Sequence, residues 1–250
     1  LPDTFVSIGG GLGNPATGSE LFTFDSTCRN LIIGEGHYVD RSRCSVIVGG
    51  YSNTLDGDGE GLCNASIIGG ALNKICYESN SSSILGGCKN CVENYNYQSS
   101  IVGGSFNAVF NCSDRSSIMG GCCNSVCDYS CNSSILGGMC NKVCGYDGNS
   151  SYGSCYSSIV GGCCNVIQRD SSFSSIVGGY RNCICNNSDY STVIGGCCNR
   201  ICNGSDHSGI FSGGWNKIQQ SEKSVLLGGN NNHICQYSVR SGILAGRYNI

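Results

Sequence analysis

Cysteine offers more chemistry than any other residue type in this sequence. Of the 250 residues, 22 are cysteines, and many of them recur at fixed distances from a repeated Gly-Gly pair. Paired thiols form disulfides, whereas clustered thiolates bind soft metal ions. An even count at recurring positions favours disulfides and an oxidising compartment. The candidate disulfide residues are Cys76, Cys122, Cys123, Cys127, Cys140, Cys144, Cys163, Cys164, Cys185, Cys197, Cys198, Cys202 and Cys235.

The spacing leaves the pairing of these thiols open. Three segments read Cys-Asn-x-Val/Ile-Cys, and adjacent cysteines occur at three places, such as Cys122-Cys123. Adjacent residues of a strand point to opposite faces, so adjacent cysteines are expected to have different partners, and one partner can lie in another chain. Bridges within a repeat, between repeats and between chains therefore all remain open.

Metal binding and catalysis have weaker support. The segment Cys88-Lys-Asn-Cys91 has the spacing of a zinc-binding pair, but no second pair or nearby histidine completes a site. The acidic loop Asp56–Glu60 offers oxygen ligands for Ca²⁺, although a solvated loop is the simpler interpretation. The 3 histidines stand outside any nucleophile or metal motif, and the 17 acidic residues are scattered. We therefore expect no enzyme and assign no cofactor.

Composition excludes other classes of protein. Charged residues make up 12% of the chain and its net charge is −3, too small to indicate a nucleic-acid partner or an anionic membrane surface. The longest apolar runs are triplets such as Val46–Val48, so no membrane span is expected.

The chain begins at Leu1 without Met, which is compatible with a removed leader. Candidate glycosylation sites in Asn-x-Ser sequons are Asn64, Asn80, Asn111, Asn132, Asn149, Asn186 and Asn203.

A tandem repeat positions all of these residues. The string Ser-Ser-Ile-Val-Gly-Gly-x-x-Asn-x-Ile recurs with a basic period of 17 residues. Longer spacings indicate loop insertions near residues 15–30, 56–62 and 145–157. No break in composition divides the chain, so residues 1–250 are interpreted as one elongated domain. The first residue of the Gly-Gly pair, or of its degenerate form at 34, 212 and 245, falls at 14 positions: 10, 34, 49, 69, 86, 103, 120, 137, 161, 178, 195, 212, 228 and 245.

The residue types within the repeat predict strands. Two apolar residues, as in Ile101-Val102, precede the glycines, and a β-branched residue such as Val109 follows six positions after the first glycine. Each repeat thus supplies two short strands and two turns, which is one coil of an all-β parallel solenoid. An asparagine four residues after the first glycine is suited to left-handed turns and to a stacked amide ladder. The predicted turn ladder contains Asn73, Asn90, Asn107, Asn124, Asn141, Asn165, Asn182 and Asn199.

One chain leaves half of the apolar pattern without a partner. Neighbours in a strand point to opposite faces, so Ile101 and Val102 cannot enter the same core. Fourteen coils at ~4.8 Å each form a rod of roughly 65 Å, along which the second apolar stripe is a large patch. Lateral association of several chains is the expected way to bury it.

The same string resembles the head repeats of YadA-like trimeric autotransporter adhesins and related trimeric repeats of phage and viral fibres. The resemblance covers essentially all fourteen repeats of the chain. It implies left-handed parallel β-rolls that trimerise through one sheet. Those head repeats usually have a shorter period and almost no cysteine, so the resemblance bears on fold and trimerisation more than on bacterial adhesion.

The sequence as a whole predicts a structural protein. We expect an extracellular filament or fibre, at a cell or virion surface, built from laterally associated solenoids and hardened by disulfides. Repeats run to Ile250 without a polar capping segment, which favours end-to-end stacking. A trimeric adhesin or viral fibre head that binds a surface receptor or glycan is the alternative. Ice binding is a minor alternative, because Thr ladders are scarce here.

Overall fold

A computed structural model describes residues 30–58, 61–145 and 153–250. Within these ranges the chain contains short strands and turns and no helix. The strands are β1 (Leu31–Glu35), β2 (Tyr38–Asp40), β3 (Ser42–Arg43), β4 (Val46–Tyr51), β5 (Thr54–Asp56), β6 (Leu62–Cys63), β7 (Ser66–Ile68), β8 (Lys74–Cys76), β9 (Ser83–Ile84), β10 (Cys91–Glu93), β11 (Ser100–Ile101), β12 (Ala108–Phe110), β13 (Ser117–Ile118), β14 (Ser125–Cys127), β15 (Ser134–Ile135), β16 (Lys142–Cys144), β17 (Ser158–Ile159), β18 (Val166–Gln168), β19 (Ser175–Ile176), β20 (Cys183–Cys185), β21 (Thr192–Val193), β22 (Arg200–Cys202), β23 (Gly209–Ile210), β24 (Lys217–Gln219), β25 (Val225–Leu226), β26 (His233–Ile234) and β27 (Gly242–Ile243).

The strands form two long parallel sheets, which confirms the predicted solenoid. The first sheet has 13 strands in the order β1-β4-β7-β9-β11-β13-β15-β17-β19-β21-β23-β25-β27. The second has 12, in the order β2-β5-β8-β10-β12-β14-β16-β18-β20-β22-β24-β26. Ser100 pairs with Ser117, so one period of the repeat is one turn of the coil. A small sheet of β3 and β6 lies near the first described coils.

Two aliphatic rows fill the interior of the coil. One residue of each repeat strand points inward and is fully buried, as at Ile101 in the first sheet and Val109 in the second. The same places in neighbouring coils are held by Ile118 and Val126, so each row continues along the rod. β-Branched side chains suit such stacked strands. All these residues belong to one continuous core cluster.

The Gly-Gly pairs have two different roles. The second glycine, such as Gly104, has a φ of +81°, and a Cβ there would lie 2.1 Å from the carbonyl oxygen of Gly121 in the next coil. At the first glycine, such as Gly103, an added Cβ would have no other atom within 4 Å. In such coils, close stacking therefore requires only the second glycine, whereas Gly49 and Gly69 are first glycines that also have a positive φ, of +74° and +78°. Ser212 and Ala245 accordingly replace the first one in two repeats.

Two predicted insertions leave and rejoin the coil at adjacent points. A Cβ on Gly145 would lie 3.0 Å from the Cα of Gly153, so the extra residues leave and rejoin the coil between these two glycines. The predicted 145–157 insertion is therefore too long at its end, because Ser154 and Ser157 are ladder residues of the coil. A Cβ on Gly57 would lie 2.2 Å from the nitrogen of Leu62, which places the ends of the 56–62 insertion together. The ladder continues past both. The first predicted repeat and nearly all of the 15–30 insertion lie outside the described residues.

Candidate functional site

The asparagine row forms an internal ladder of hydrogen bonds. The backbone N–H of Asn124 donates to Oδ1 of Asn107 at 3.0 Å. The Nδ2 of Asn124 donates to the carbonyls of Gly120 at 3.0 Å and Gly138 at 3.1 Å. Asn141 repeats the pattern one coil further on. Each amide thus closes its own turn and ties it to both neighbouring coils. The eight predicted ladder residues are all buried: Asn73, Asn90, Asn107, Asn124, Asn141, Asn165, Asn182 and Asn199.

The prediction that these asparagines adopt the left-handed conformation is wrong. Positive φ occurs at the preceding residue instead, as at Phe106 (56°), Cys123 (58°) and Cys140 (55°). The asparagine side chain can therefore point inward, where its amide satisfies backbone groups. The left-handed corner falls on a residue whose side chain lies at the surface.

His37 takes the place of the ladder asparagine in the first described coil. Its Nδ1 accepts from the backbone N–H of Asn53 at 3.1 Å, and its Nε2 lies 3.2 Å from the carbonyl oxygen of Ile33. This pattern requires a neutral ring protonated on Nε2. Burial lowers the pKa of His37, although the bond to Ile33 acts in the opposite direction.

Two further polar ladders were missed at the sequence level. Ser99 accepts at Oγ from the backbone of Ser116 at 3.3 Å and donates to the carbonyl of Ser113 at 3.1 Å. Ser113 belongs to the second ladder and accepts at Oγ from the backbone N–H of Ser130 at 3.2 Å. The signal was available, because serines three residues apart recur ahead of the first strand in most repeats.

The outer face of the first sheet carries a continuous apolar stripe. Leu85 is 47% exposed, Leu136 49% and Val177 44%, which are high values for large aliphatic side chains in strands. Their buried neighbours fill the core, as the alternation of the strand requires. The stripe consists of Val48, Ile68, Leu85, Val102, Met119, Leu136, Val160, Val177, Ile194, Phe211, Leu227 and Leu244.

No charged residue interrupts this surface over twelve coils. One side of the stripe is flanked by Val46, Ser66, Ser83, Ser100, Ser117, Ser134, Ser158, Ser175, Thr192, Gly209, Val225 and Gly242. The other side is flanked by Gly49, Gly69, Gly86, Gly103, Gly120, Gly137, Gly161, Gly178, Gly195, Ser212, Gly228 and Ala245. We call these three rows the uncharged face. The chain has 31 Lys, Arg, Asp and Glu residues (14 plus 17), all of them elsewhere.

Adjacent cysteines lie together at a corner of the coil. The Sγ atoms are 3.1 Å apart in Cys122-Cys123, and 3.3 Å and 3.1 Å apart in the corresponding pairs that begin at Cys163 and Cys197. The expectation that they point to opposite faces of a strand is therefore wrong. The second cysteine of each pair is in the left-handed conformation, so the pair sits in a turn. These corners border the uncharged face. Cys140 occupies the same corner in the coil between the pairs that begin at Cys122 and Cys163.

Other predicted disulfide cysteines form a column along the second sheet. Cys127 stacks on Cys144, with Sγ atoms 2.8 Å apart, and Cys185 pairs in register with Cys202. All four thiols are buried. Hydrogen bonds from Cys183 and Cys202 and the guanidinium of Arg200 lower the pKa of Cys185, although burial opposes them.

No two of the 21 cysteines in the described residues lie at disulfide-bond distance in this structure. Cys76 and Cys235 occupy the same register position as Cys127. The coil next to each of them has no cysteine at that position. Cys131 and Cys155 interact across adjacent coils, which lowers the pKa of Cys155 to about 6. The sequence prediction omitted this pair. Both residues stand two before a ladder serine, so the repeat register could have revealed it.

The remaining predicted ligands show no completed site among the described residues. The backbone of Cys88 belongs to a corner, whereas Cys91 begins β10 and shares a hydrogen bond with Cys76. Asp58 lies 3.6 Å from the guanidinium of Arg41. Glu60 of the proposed Ca²⁺ loop falls outside the described residues.

Four of the six described sequons end in a buried ladder serine, namely Ser82, Ser113, Ser188 and Ser205. In Asn111-Cys-Ser113 the serine is a buried ladder residue, and the Asn111 amide donates to Asp128 at 2.7 Å. The Asn186 amide donates to Asn203 at 2.7 Å. Asn64 is exposed, while Asn80 and Asn132 are half-buried. Asn149 lies outside the described residues. Asn64 is therefore the most accessible of the six described candidates.

A stacked row of aromatic rings lies at another corner. Tyr156, Phe173, Tyr190 and His207 follow one another with ring centroids 4.9 Å apart. Each ring covers the face of the next, so the edges point to solvent. An open cleft of about 400 Å³ adjoins this row, and its lining includes Asp170 and Asp189. Burial raises the pKa of both carboxyl groups.

Comparison with known proteins assigns no relative. No protein family matches the chain, and no curated protein is significantly similar to it. Among the described residues no helix has the length and apolar character needed to cross a membrane.

Proposed function

We propose that this chain is an extracellular structural protein whose rods associate laterally through the uncharged face. The observation that carries the proposal is the unbroken, charge-free apolar stripe along twelve coils. Soluble monomers rarely expose continuous apolar patches beyond a few hundred Å². A surface that excludes charge over its whole length is typical of one that becomes buried.

The size of the uncharged face fits a stable interface with a second copy. Twelve coils at ~4.8 Å by three rows at ~3.3 Å make a strip of roughly 600 Å² per chain, or about 1,200 Å² for a pair. That area reaches the lower bound of stable protein interfaces. A second copy has the same coil spacing, so its side chains stay in register along the whole strip.

The first-glycine row supports close approach of that copy. Gly103, Gly120 and Gly137 meet nothing within 4 Å of a built Cβ and lack a left-handed φ. Their own chain therefore gives no steric reason for glycine. A neighbouring chain packed against the stripe does, because a row without side chains lets the apolar side chains of the neighbour approach the backbone.

Disulfides harden the assembly in this proposal. The corner pairs beginning at Cys122, Cys163 and Cys197 border the uncharged face, which suits bridges between chains. The Cys185–Cys202 pair lies in adjacent coils and suits a bridge within one chain. Each bridge contributes typically about 2–4 kcal/mol. An oxidising, extracellular location follows from this use of cysteine.

Charge placed on the stripe tests the proposal. In the double variant Val102→Lys/Leu136→Lys, two lysines per chain would be buried without partners, so lateral association should be lost. The matched control is Ser125→Lys on the second sheet, where Lys74 and Lys142 stand in equivalent positions of other coils. Analytical ultracentrifugation under reducing conditions reports the assembly state.

We expect oligomers for the unaltered chain and for Ser125→Lys, and monomers for the double variant. Circular dichroism should show the same strand content in all three. A monomeric unaltered chain at micromolar concentration, or a double variant that assembles normally, would contradict the proposal.

A trimer and end-to-end stacking extend the proposal to a filament. The trimer is the state implied by the resemblance to YadA-like head repeats. Stacking is supported by the uniformity of the coils, since every coil offers its neighbour the same donors and acceptors at one spacing. Isolated trimers in electron micrographs of concentrated protein would argue against stacking.

The aromatic row supports one alternative function, a fibre head that binds a surface glycan or receptor. The cleft beside Tyr156 and Phe173 combines aromatic edges with the carboxylates of Asp170 and Asp189. Such a mixture suits hydroxyl-rich ligands. A glycan-array signal that is lost in Asp189→Asn would favour this function.

A further inference from the structure

Three side chains with metal-binding atoms converge between two adjacent coils. Cys127, Asp128 and Cys144 each direct one ligand atom to a common point, and these atoms all lie within 4.8 Å of one another. The Sγ atoms of the two cysteines are 2.8 Å apart, and Sγ of Cys144 lies 2.8 Å from Oδ2 of Asp128. We infer that this cluster is a binding site for a soft divalent cation of the Zn²⁺ type.

The hydrogen bonds of the cluster mark the place of the ion. The thiol of Cys127 donates to the sulfur of Cys144, and the thiol of Cys144 donates to Asp128. Two protons therefore lie between the three ligand atoms. A divalent cation that displaces both protons to solvent meets two thiolates and one carboxylate, a donor set that Zn²⁺ accepts. Ca²⁺ and Mg²⁺ prefer oxygen alone.

A neighbouring amide holds the carboxylate ligand in position. The Nδ2 of Asn111 donates to Oδ1 of Asp128 at 2.7 Å, and Asn111 in turn accepts from Asn94 at 2.9 Å. Oδ1 is thereby occupied, and Oδ2 faces the thiols. Protein zinc sites commonly orient their ligands through such outer hydrogen bonds.

The charges of the cluster balance when a cation is bound. Two thiolates and a carboxylate carry three negative charges, a divalent ion carries two positive charges, and Lys142 supplies one more. Lys142 interacts electrostatically with Cys127, Cys144 and Asp128. Cys127 is 0% exposed and Cys144 is 2% exposed, so their thiolates need such counter-charges. A fourth ligand can come from water, as in open zinc sites.

An equivalent cysteine pair elsewhere in the solenoid lacks the carboxylate. Cys185 and Cys202 occupy the same register, but Asn186 stands where Asp128 does. There Arg200 replaces Lys142 and directs its guanidinium to the Cys185 sulfur at 3.4 Å. The chain thus contains a matched pair of sites, one with the complete donor set and one with thiols only.

Cobalt and zinc titration of the full, reduced chain under anaerobic conditions tests the inference. Co²⁺ bound by Cys127 and Cys144 should give thiolate charge-transfer absorption, and added Zn²⁺ should displace the Co²⁺. The unaltered chain should bind one more equivalent of metal than Asp128→Asn. That variant keeps every thiol, and Asn stands at its register position in Asn94 and Asn111. Folding should therefore be unchanged, which circular dichroism can check.

The variant Cys144→Ser should lose the same equivalent, whereas the matched control Cys202→Ser should keep it. Affinity at the site should fall at least roughly tenfold in Asp128→Asn. Equal stoichiometry and affinity in the unaltered chain and Asp128→Asn would overturn the inference. So would peptide mapping that finds a Cys127–Cys144 disulfide in the isolated protein, because that bond and the metal site exclude each other.

Discussion

At the scale of single residues, the solenoid depends on polar side chains inside it. Asn107 and Asn124 act as backbone groups, since each accepts from the next coil and donates to two carbonyls. An unpaired buried amide costs about 1–3 kcal/mol, so a residue that satisfies three groups is hard to replace. Serine performs the same task at two further positions, as at Ser99 and Ser113.

His37 makes the first described coil sensitive to pH. Its folded-state pKa lies below the ordinary value of 6.5, so the neutral ring is favoured in the folded coil. The stabilisation is fully present above pH 6.5 and is lost as the pH falls below it. A protonated ring cannot accept from the N–H of Asn53. We expect the protection factor of the Asn53 amide, which is its exchange rate relative to the intrinsic rate at the same pH, to fall on acidification.

The variant His37→Asn supplies the residue that other coils use at this position, and it should remove this pH dependence while keeping the amide protected. Hydrogen exchange at the Asn107 amide serves as the internal control, because Asn107 lies more than two coils away from His37. Equal acid sensitivity in His37→Asn and the unaltered chain would show that His37 is not the responsible group.

At the scale of the coil, the two glycines of each pair should respond differently to substitution. In Gly104→Ala the methyl group would lie 2.1 Å from the Gly121 oxygen, and φ is +81°. The left-handed conformation alone costs about 1–2 kcal/mol, and the clash adds to it. Urea unfolding should show this loss, whereas Gly103→Ala should change stability by less than about 0.5 kcal/mol.

Both glycine variants are best measured in the Val102→Lys/Leu136→Lys background, which is expected to be monomeric, so that association does not contribute to the measured stability. In the unaltered background Gly103→Ala should weaken assembly. Equal destabilisation by the two alanines would contradict the assignment of the first glycine to the interface.

The sequence predicts the strands and the coil well, because both depend on a local pattern repeated many times. Ile101 and Val109 mark the two inward rows, and the period places them in register. It predicts the corners poorly. The sequence predicts that the side chains of Cys122 and Cys123 alternate between the two faces of a strand. The left-handed turn at Cys123 instead brings the two sulfurs together. The cluster at Asp128 depends on contacts between coils, which a repeat alone does not specify.

At the scale of the whole molecule, the rod separates its functions by face. Core rows and ladders hold the coils together, and the second sheet carries Lys74, Lys142 and the buried cysteine column. The uncharged face is the surface that we propose for a neighbouring chain. Such one-dimensional stacking makes stability a sum over neighbouring coils. In the proposed assembly, lateral association joins rods without altering the coil.

Cryo-electron microscopy of the assembled, unaltered protein tests this account most directly, because it shows which face lies between chains. The account predicts that Val102, Leu136 and Val177 lie at the contact, with the first-glycine row against the side chains of the neighbouring rod. A contact formed through the second sheet, with the uncharged face open to solvent, would contradict it.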